Sequence, residues 1–420
     1  MIPKRNILPF GAVLLLAAAV ACDHPADRIT AVGADGSAAP RQPQFSVDAT
    51  VIDVTDVEQL YAVVNDPANE GAVITLAPGT YVLSANDAAG VARPNGGRVE
   101  LQRDMSLYGV TDDRSAVVID GSGLPISSIR FAFGSRVLPT APVRMGRGSN
   151  TIEWLTVLGS PTAVAGIATE LTGTASTRVR VAHVAASRAA RGVDVRNVGS
   201  AMAGRVIQAE IVDGDFSRGV EGIRVGNFFG ADHGNIDVVM SGNRSYMNVL
   251  GCIFENNLTS FATIAVRSNG DRFEDNGLGC QLGGGFVGGA TGAANSNTAV
   301  FEAHGTEFSN NTRTEFFNNT GPTFTEFGGL LVVGGHALAS VNTTSDNSVM
   351  LRLWGCKVSG NQGVDFQAFG AWSGAVPPGI AGTNNHVTIE LHGVSKQIDV
   401  EATPSQPVDP TGSNTVMVIR

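Results

Sequence analysis

A pattern of alternating apolar and polar residues recurs along this chain, each time directly after a glycine. In every row the first and third residues after the glycine are apolar, as in Gly192-Val193-Asp194-Val195. A period of two predicts a strand with one buried face. The rows start about 28 to 50 residues apart, which is typical of one strand per coil in a solenoid with loops of varying length. The rows are residues 192–197, 222–227, 251–256, 279–284, 329–334 and 363–368.

A second strand pattern recurs ahead of the first, and a turn that contains asparagine lies between the two. The second strand covers residues 264–270, 299–305, 349–355 and 387–393. The turn asparagines are Asn248, Asn276 and Asn361. Asparagine side chains stacked along the solenoid axis would supply hydrogen bonds to the buried turn backbone. The spacing therefore predicts stacked coils that share an asparagine turn.

One helix is predicted ahead of all these strands. Residues 55–58, Thr-Asp-Val-Glu, form a capping box, and apolar residues follow at helical spacing. The apolar face consists of Val57, Leu60, Tyr61 and Val64. Residues 71–83 then read as a strand, a Pro-Gly turn and a strand. A single amphipathic helix in this place is expected to cover the open end of the solenoid.

These features together resemble the pectin-lyase-like superfamily of right-handed parallel β-helices. The resemblance rests on the capping helix, the aligned strands, the turn asparagines and the Pro-Gly-Thr-Tyr segment at 78–81, and it covers about residues 50 to 420. It implies an all-β fold, a right-handed parallel β-helix over residues 48–420. It also implies that catalytic acids, arginines and calcium ligands lie on the outer face of the stacked strands. It is specific for the fold and says little about activity.

The first residues of the chain carry an export signal. Lys4 and Arg5 precede an apolar run at 11–20, and residues 1–21 end in a small-residue cleavage site. The segment 19–22, Ala-Val-Ala-Cys, resembles a bacterial lipobox, which implies cleavage before Cys22, lipidation of its sulfur and anchoring to a bacterial membrane. The alternative is ordinary secretion with a chance cysteine. Residues 22–47, rich in Ala, Pro, Gly and Asp, are expected to form a disordered tether.

Composition narrows the class of partner. Glycine is abundant at 52 residues, whereas charged residues make up 16% and aromatic residues 6% of the chain, a balance that favours short strands and tight turns. The net charge is −10. Because no basic stripe is present to displace counterions from a phosphate backbone, nucleic acid is excluded as a partner.

The outward positions of the strand after the glycine supply the candidate catalytic residues. The two outward stripes are Asp194, Arg224, Ile253, Gln281, Leu331, Asp365 and Arg196, Gly226, Glu255, Gly283, Val333, Gln367. Neighbouring coils lie about 4.8 Å apart and alternate residues about 6.7 Å apart, so four charged groups should form one surface patch. These four are Asp194, Arg196, Arg224 and Glu255. An arginine there could neutralise a uronate carboxylate while a base removes the adjacent proton, but a surface salt-bridge ladder explains the same pattern.

Further candidates bind a ligand rather than react with it. Gln281 lies on the outward stripe, and Phe228, Phe229 and Asp232 lie in the following loop, where aromatic rings could stack on sugars. Buried loop aromatics are the alternative. No metal site is predicted, and calcium is a cofactor only if the chain is a lyase.

The second strand carries a different pattern of charges. Its outward position alternates in sign through Arg267, Glu302, Arg352 and Glu390, which predicts a cross-strand charge ladder. His304 and His392 precede the turn glycine in their rows, and they are interpreted as turn histidines rather than as metal ligands.

Two cysteines fall at the same inward position of consecutive rows. Cys252 and Cys280 should have Cα atoms about 4.8 Å apart, within reach of a disulfide. Free thiols packed in the core are the favoured interpretation, and the disulfide stays open.

Two functions from different classes follow from these patterns. The first is a cell-envelope lipoprotein that binds polysaccharide or another envelope polymer along its outer face. The second is a lyase or hydrolase that acts on uronate-containing glycans through the four charged residues. The known catalytic signatures of polygalacturonases and pectate lyases are missing, and a purely structural role also stays open.

Overall fold

A computed structural model describes most of the chain from residue 49 onward. The described residues are 49–124, 141–159, 165–169, 176–199, 203–287, 292–312, 327–337, 343–373, 382–394, 398–406 and 411–420. The predicted signal peptide, Cys22 and the tether at 22–47 lie outside the described residues. Among the described helices, none combines the length and the apolar character that crossing a bilayer requires.

The described strands form three long sheets in which every neighbouring pair is parallel. From Val73–Leu76 to Val364–Ser373 the chain visits the sheets in a fixed order, and each coil adds one strand to each of them. The molecule is therefore a right-handed parallel β-helix. Sheet 1 has twelve strands: Val51–Val54, Val73–Leu76, Ser106–Gly109, Ser149–Glu153, Thr177–Ala182, Val206–Val212, Asn235–Ser241, Thr263–Asn269, Thr298–His304, Ser348–Trp354, His386–His392 and Thr415–Ile419.

The other two sheets complete the coil. Sheet 2 has ten strands: Val99–Glu100, Val143–Met145, Ala165–Thr169, Arg191–Val198, Glu221–Phe228, Leu250–Asn257, Leu278–Val287, Phe327–Ala337, Val364–Ser373 and Val400–Gln406. Sheet 3 has nine short strands: Gly79–Val82, Val117–Asp120, Thr156–Leu158, Ala185–Ser187, Asp215–Ser217, Arg244–Tyr246, Arg272–Glu274, Glu307–Ser309 and Lys357–Ser359. The predicted fold class is confirmed.

One continuous core fills the inside of the coils. The inward positions predicted from the alternation are buried there, with Val193, Val195, Ile223 and Val225 each at most 1% exposed. Along sheet 1 the seven-residue strands alternate between buried inward residues and partly exposed outward residues. Sheet 2 differs, because its strand Glu221–Phe228 is buried at every position. The outer face of sheet 1 is therefore open to solvent, and that of sheet 2 is not.

The asparagine turn between sheets 3 and 2 is confirmed as a hydrogen-bonded ladder. The backbone N–H of Asn248 donates to Oδ1 of Asn276 at 3.1 Å, and that of Asn276 donates to Oδ1 of Asn311 at 3.0 Å. The backbone N–H of Asn311 donates to Asn361 at 3.0 Å. Each asparagine thus satisfies the buried turn of the preceding coil. A second ladder, which the sequence patterns did not reveal, joins Asn297, Asn347, Asn385 and Asn414 between sheets 2 and 1.

The predicted helix is present at Val57–Asn65, with Leu60, Tyr61 and Val64 buried against the first coils. Its cap differs by one residue from the prediction. The side chain of Asp56, rather than that of Thr55, accepts from the first turn of the helix. Single-turn helices follow at Pro67–Asn69, Pro94–Gly97 and Gly121–Gly123.

The last predicted strand row is shifted by two residues in the structure. Phe366, rather than Val364, pairs with Leu330, because the ladder is irregular between Phe327 and Leu330. Gln367 therefore continues the stripe that begins at Asp194, and the placement of Asp365 on that stripe is wrong.

The two stacked cysteines are free. Cys252 and Cys280 pair in register on neighbouring strands, and both side chains are fully buried. Burial raises the pKa of the Cys252 thiol well above its usual range, and the hydrogen bond with Cys280 adds to the rise. Both thiols therefore pack as core residues.

Candidate functional site

The four predicted catalytic residues meet on the outer face of sheet 2. Asp194 pairs in register with Arg224, and Arg196 lies two residues further along the first of these strands. Arg196 contacts the Asp194 carboxylate at 3.1 Å, and Arg224 contacts Glu255 at 2.5 Å. Alternation along parallel strands thus brings the side chains together, as the sequence predicts.

Two charged residues that the sequence analysis missed complete this cluster. Arg191 contacts Asp194 at 2.9 Å and Glu221 at 2.5 Å, and Arg224 contacts Glu221 at 2.8 Å. Both Arg191 and Glu221 lie three residues before the predicted stripe and could have been found from the same register. We call Arg191, Asp194, Arg196, Glu221, Arg224 and Glu255 the charged cluster.

The charged cluster is buried, and the prediction of a solvent-exposed patch is wrong. Each of its six residues is between 0% and 5% exposed. Sequence alternation gives the direction of a side chain and carries no information on whether that face of the sheet is covered. Ile253 and Leu331, which share the outward stripe, are also buried, so this part of the face is covered.

Neighbouring charges set the protonation of the cluster. Burial alone would raise the pKa of Asp194, but Arg196 and Arg191 outweigh it and lower the pKa. The same balance lowers the pKa of Glu221. Glu255 behaves differently, because burial dominates there and raises its pKa to about 8 although Arg224 opposes the rise. Burial therefore favours the protonated form of Glu255, whereas the arginines favour the ionised forms of Asp194 and Glu221.

The predicted ligand-binding residues are divided between buried and partly exposed positions. Gln281 is 2% exposed, and its amide nitrogen lies 3.4 Å from Glu255. Phe228 is also 2% exposed and lies under the Arg224 guanidinium at 4.7 Å. These two residues therefore belong to the buried surroundings of the charged cluster.

Phe229 and Asp232 lie in the loop that leads from sheet 2 to sheet 1, and both are partly exposed. Asp232 Oδ1 accepts from the backbone N–H of Ser260 at 2.7 Å and from the Thr259 hydroxyl at 3.1 Å. The carboxylate thus ties its own loop to that of the next coil. Phe229 and Asp232 stay candidates for ligand contact.

The outer face of sheet 1 carries the predicted charge ladder. Arg267 contacts Glu302 at 4.0 Å, and Arg352 contacts Glu302 at 2.7 Å and Glu390 at 3.1 Å. Asp237 extends the ladder by a contact of 3.2 Å with Arg267. Pairs of this kind at partly exposed positions contribute up to about 1 kcal/mol each.

The two predicted turn histidines flank a tryptophan at the carboxyl ends of the strands of sheet 1. The ring centroid of Trp354 lies 4.5 Å from that of His304 and 5.4 Å from that of His392, with the rings nearly parallel. Both faces of the indole are therefore occupied within the ladder. Over the described residues, no group of three or more His, Cys, Asp and Glu side chains is arranged to hold a metal ion.

Two aromatic pairs at the edges of sheet 1 were missed by the sequence analysis. Trp154 and His183 stack at 4.0 Å on the turn after sheet 1, and His183 lies 3.4 Å from the Asp213 carboxylate. His233 and Phe261 stack at 5.1 Å on the turn before sheet 1. The sequence contained one sign of the second pair, because His233 and Phe261 each lie two residues before a strand of sheet 1.

Comparison with known proteins finds similarity in solved structures. No protein-family model and no curated protein matches the chain. The A-module of the mannuronan C-5 epimerase AlgE4 from Azotobacter vinelandii is 13% identical, with a TM-score of 0.40 over 87% of this chain and 98% of that one. A rhamnogalacturonan lyase is 12% identical, with a TM-score of 0.31 over 84% of this β-helix chain and 87% of that chain.

A surface adhesin is also similar to this chain. PfbA of Streptococcus pneumoniae is 8% identical, with a TM-score of 0.26 over 83% of this chain and 86% of that one. At such identities the likeness concerns the fold alone, and function has to be argued from this chain's own residues.

Proposed function

We propose that this protein is a cell-envelope lipoprotein that binds polysaccharide across the outer face of sheet 1. In this proposal the lipid on Cys22 holds the chain at a bacterial membrane, and residues 22–47 tether the β-helix to it. The β-helix then presents its open face to an envelope polymer.

The proposal rests on one observation. The outer face of sheet 1 is open to solvent, and aromatic rings lie at both ends of its strands. Strands of seven residues make this face about 23 Å wide. His233 and Phe261 lie at the edge where the strands begin, and Trp154 and His183 at the edge where they end. Aromatic rings offer an apolar surface to the C–H groups of a sugar, and the polar outward residues between the edges suit its hydroxyl groups.

The charged cluster on sheet 2 is poorly placed to cleave a polysaccharide, which favours the binding function. Its acids and arginines are bound to one another, with contacts of 2.5 to 3.1 Å, and are almost inaccessible to solvent. In a buried network of this kind, the ion pairs compensate for the hydration that the charged groups have lost. An incoming sugar would have to break these ion pairs.

Binding is tested with the Cys22→Ser chain, which removes the lipidated sulfur. Affinity electrophoresis through gels that contain soluble glucan, mannan, xylan or polygalacturonate would measure retardation by each polymer. We expect retardation by at least one polymer and no change in its chain length after incubation. Migration that is the same in all gels would refute the proposed binding function.

The anchor has its own test. Mass spectrometry of the mature protein should find an N-terminal cysteine carrying acyl chains, and Cys22→Ser should move the protein from the membrane to the soluble fraction. An unmodified N-terminus and a soluble wild-type protein would refute the anchor and would leave the binding proposal standing.

A uronate lyase or hydrolase is the second candidate, and the raised pKa of Glu255 favours it. A carboxyl group that keeps its proton near pH 7 beside Arg224 can protonate a leaving group. Incubation with uronate polymers would then increase the absorbance at about 235 nm if a lyase forms unsaturated products, or would release reducing ends if a hydrolase acts. Loss of that activity in Glu255→Gln would assign it to the charged cluster, and activity that persists would place it elsewhere.

A further inference from the structure

The turn that leads into sheet 1 repeats one backbone conformation in successive coils. The second residue before each of six strands has a left-handed φ between 56° and 69°. These residues are Gly204, His233, Phe261, Ser296, Asp346 and Asn384. Glycine, asparagine and aspartate adopt this conformation at low cost, whereas a bulky aromatic residue is strained in it. Two adjacent coils therefore place rings where a small residue would be more stable.

The two rings stack on each other and lie at the surface. Their centroids are 5.1 Å apart, the ring planes differ by 9°, and Phe261 is 54% exposed. On the preceding coil, no atom of the described residues lies within 4 Å of the place where a Cβ of Gly204 would be. Within the described part of the chain, the face of His233 that points away from Phe261 therefore lies over a glycine with free space around it. Ser296, the next residue of the row, is small, so the pair is bracketed by small residues on both sides.

Hydrogen bonds between the coils hold the backbone of the two loops that carry the rings. The backbone N–H of His233 donates to Ser260 O at 3.1 Å, and that of Phe261 donates to Asn295 O at 3.1 Å. Asp232 Oδ1 accepts from the Ser260 N–H at 2.7 Å, which joins the same two loops. A surface that is rigid before binding loses little entropy when it binds.

We infer that His233 and Phe261 form a sugar-stacking ledge for an uncharged hexopyranose unit of the polymer. The C–H face of the ring stacks on His233 above Gly204, and its hydroxyl groups donate to the Asp232 carboxylate. A uronate would instead bring its carboxylate close to Asp232. Arg205, which follows Gly204 in the chain, is buried and donates to Gly146 O at 3.2 Å. The ledge therefore selects neutral sugars, and this inference rests on the proposed polysaccharide-binding function.

The inference is tested by removing the rings or blocking the open face. In Phe261→Asn and His233→Asn the new residue suits the left-handed backbone, so the fold is kept and the melting temperature should stay equal or rise. Gly204→Asn keeps both rings and places a side chain over the face of His233. Met247 is the matched control, because it is 55% exposed, has a left-handed φ of 55° and lies on the turn between sheets 3 and 2.

Calorimetric titration of the Cys22→Ser chain with a soluble neutral glucan, a neutral mannan and polygalacturonate gives the result. We expect a neutral polymer to bind more tightly than polygalacturonate, and each of the three ledge variants to weaken that binding at least tenfold. Met247→Asn should bind as the parent does. Binding that the ledge variants leave unchanged, or that Met247→Asn weakens equally, would overturn the ledge and leave the proposed function intact. A parent protein that binds none of the polymers would overturn both.

Discussion

Replacing Asp271 by asparagine should stabilise this protein at alkaline pH and much less at acidic pH. Asp271 is fully buried at the turn between sheets 1 and 3. Its Oδ1 accepts from the backbone and the side chain of Asn243 at 2.7 and 2.8 Å, and the Ser268 hydroxyl lies 2.5 Å from Oδ2. Burial raises the pKa of Asp271 from 3.8 to about 7, although these hydrogen bonds oppose the rise.

The sign of the effect follows from proton linkage. Between pH 4 and pH 7 the folded chain holds a proton on Asp271 that the unfolded chain has released, so the stability of the fold falls as the pH rises through this window. A shift of about 3 pK units corresponds to about 4 kcal/mol in total, of which about 2.5 kcal/mol is lost between pH 5 and pH 8. Asparagine reproduces the protonated carboxyl, because its oxygen can accept from Asn243 and its nitrogen can donate to Ser268.

Urea unfolding of the parent and Asp271→Asn at pH 5, 6, 7 and 8 measures this difference. We expect the advantage of the variant to grow by about 2.5 kcal/mol from pH 5 to pH 8. Glu255 titrates in both proteins, so its contribution cancels. Asp112→Asn, at an exposed position, should change stability by less than about 0.5 kcal/mol throughout. A difference between parent and Asp271→Asn that does not change with pH would refute the reasoning.

Three further predictions follow from the stacked coils. Asn276→Ala removes one hydrogen-bond acceptor and two donors from the buried turn. Urea unfolding should find the free energy of unfolding lower by about 2 to 3 kcal/mol, and a loss below about 0.5 kcal/mol would contradict the asparagine ladder. Gly284→Ala would place a Cβ 1.9 Å from Gly334 O, so circular dichroism should find a much lower melting temperature, and a melting temperature like that of the parent would count against this packing. Cys252 and Cys280 should react with a thiol reagent only after unfolding, and labelling at equal rates in the native state would disprove their burial.

The inward residues could be predicted from the sequence, because successive residues of a strand point to opposite faces. Once one face is apolar, that face must be the inward one. The turn asparagines and the charge ladder followed from the same register, since equivalent positions of successive coils must lie above one another. The shift of the last row could not be foreseen, because Val364 and Phe366 are both apolar. A displacement by two residues keeps every side chain on its face and leaves the alternation unchanged.

The burial of the charged cluster depends on what covers sheet 2, and alternation within a strand carries no such information. Its trace in the sequence was the apolar character of Ile253, Leu331 and Val333 at outward positions. The ledge escaped notice for a different reason. His233 and Phe261 lie in loops without periodicity, and their common left-handed backbone becomes visible only when the coils are aligned in three dimensions.

A crystal structure of the Cys22→Ser chain with an oligosaccharide of the polymer it binds would locate the binding face. We predict electron density for the sugar on the outer face of sheet 1, with one ring stacked on His233 above Gly204. Density beside Glu255 on sheet 2, with the charged cluster opened around it, would show that sheet 1 is not the binding face and would favour the lyase or hydrolase.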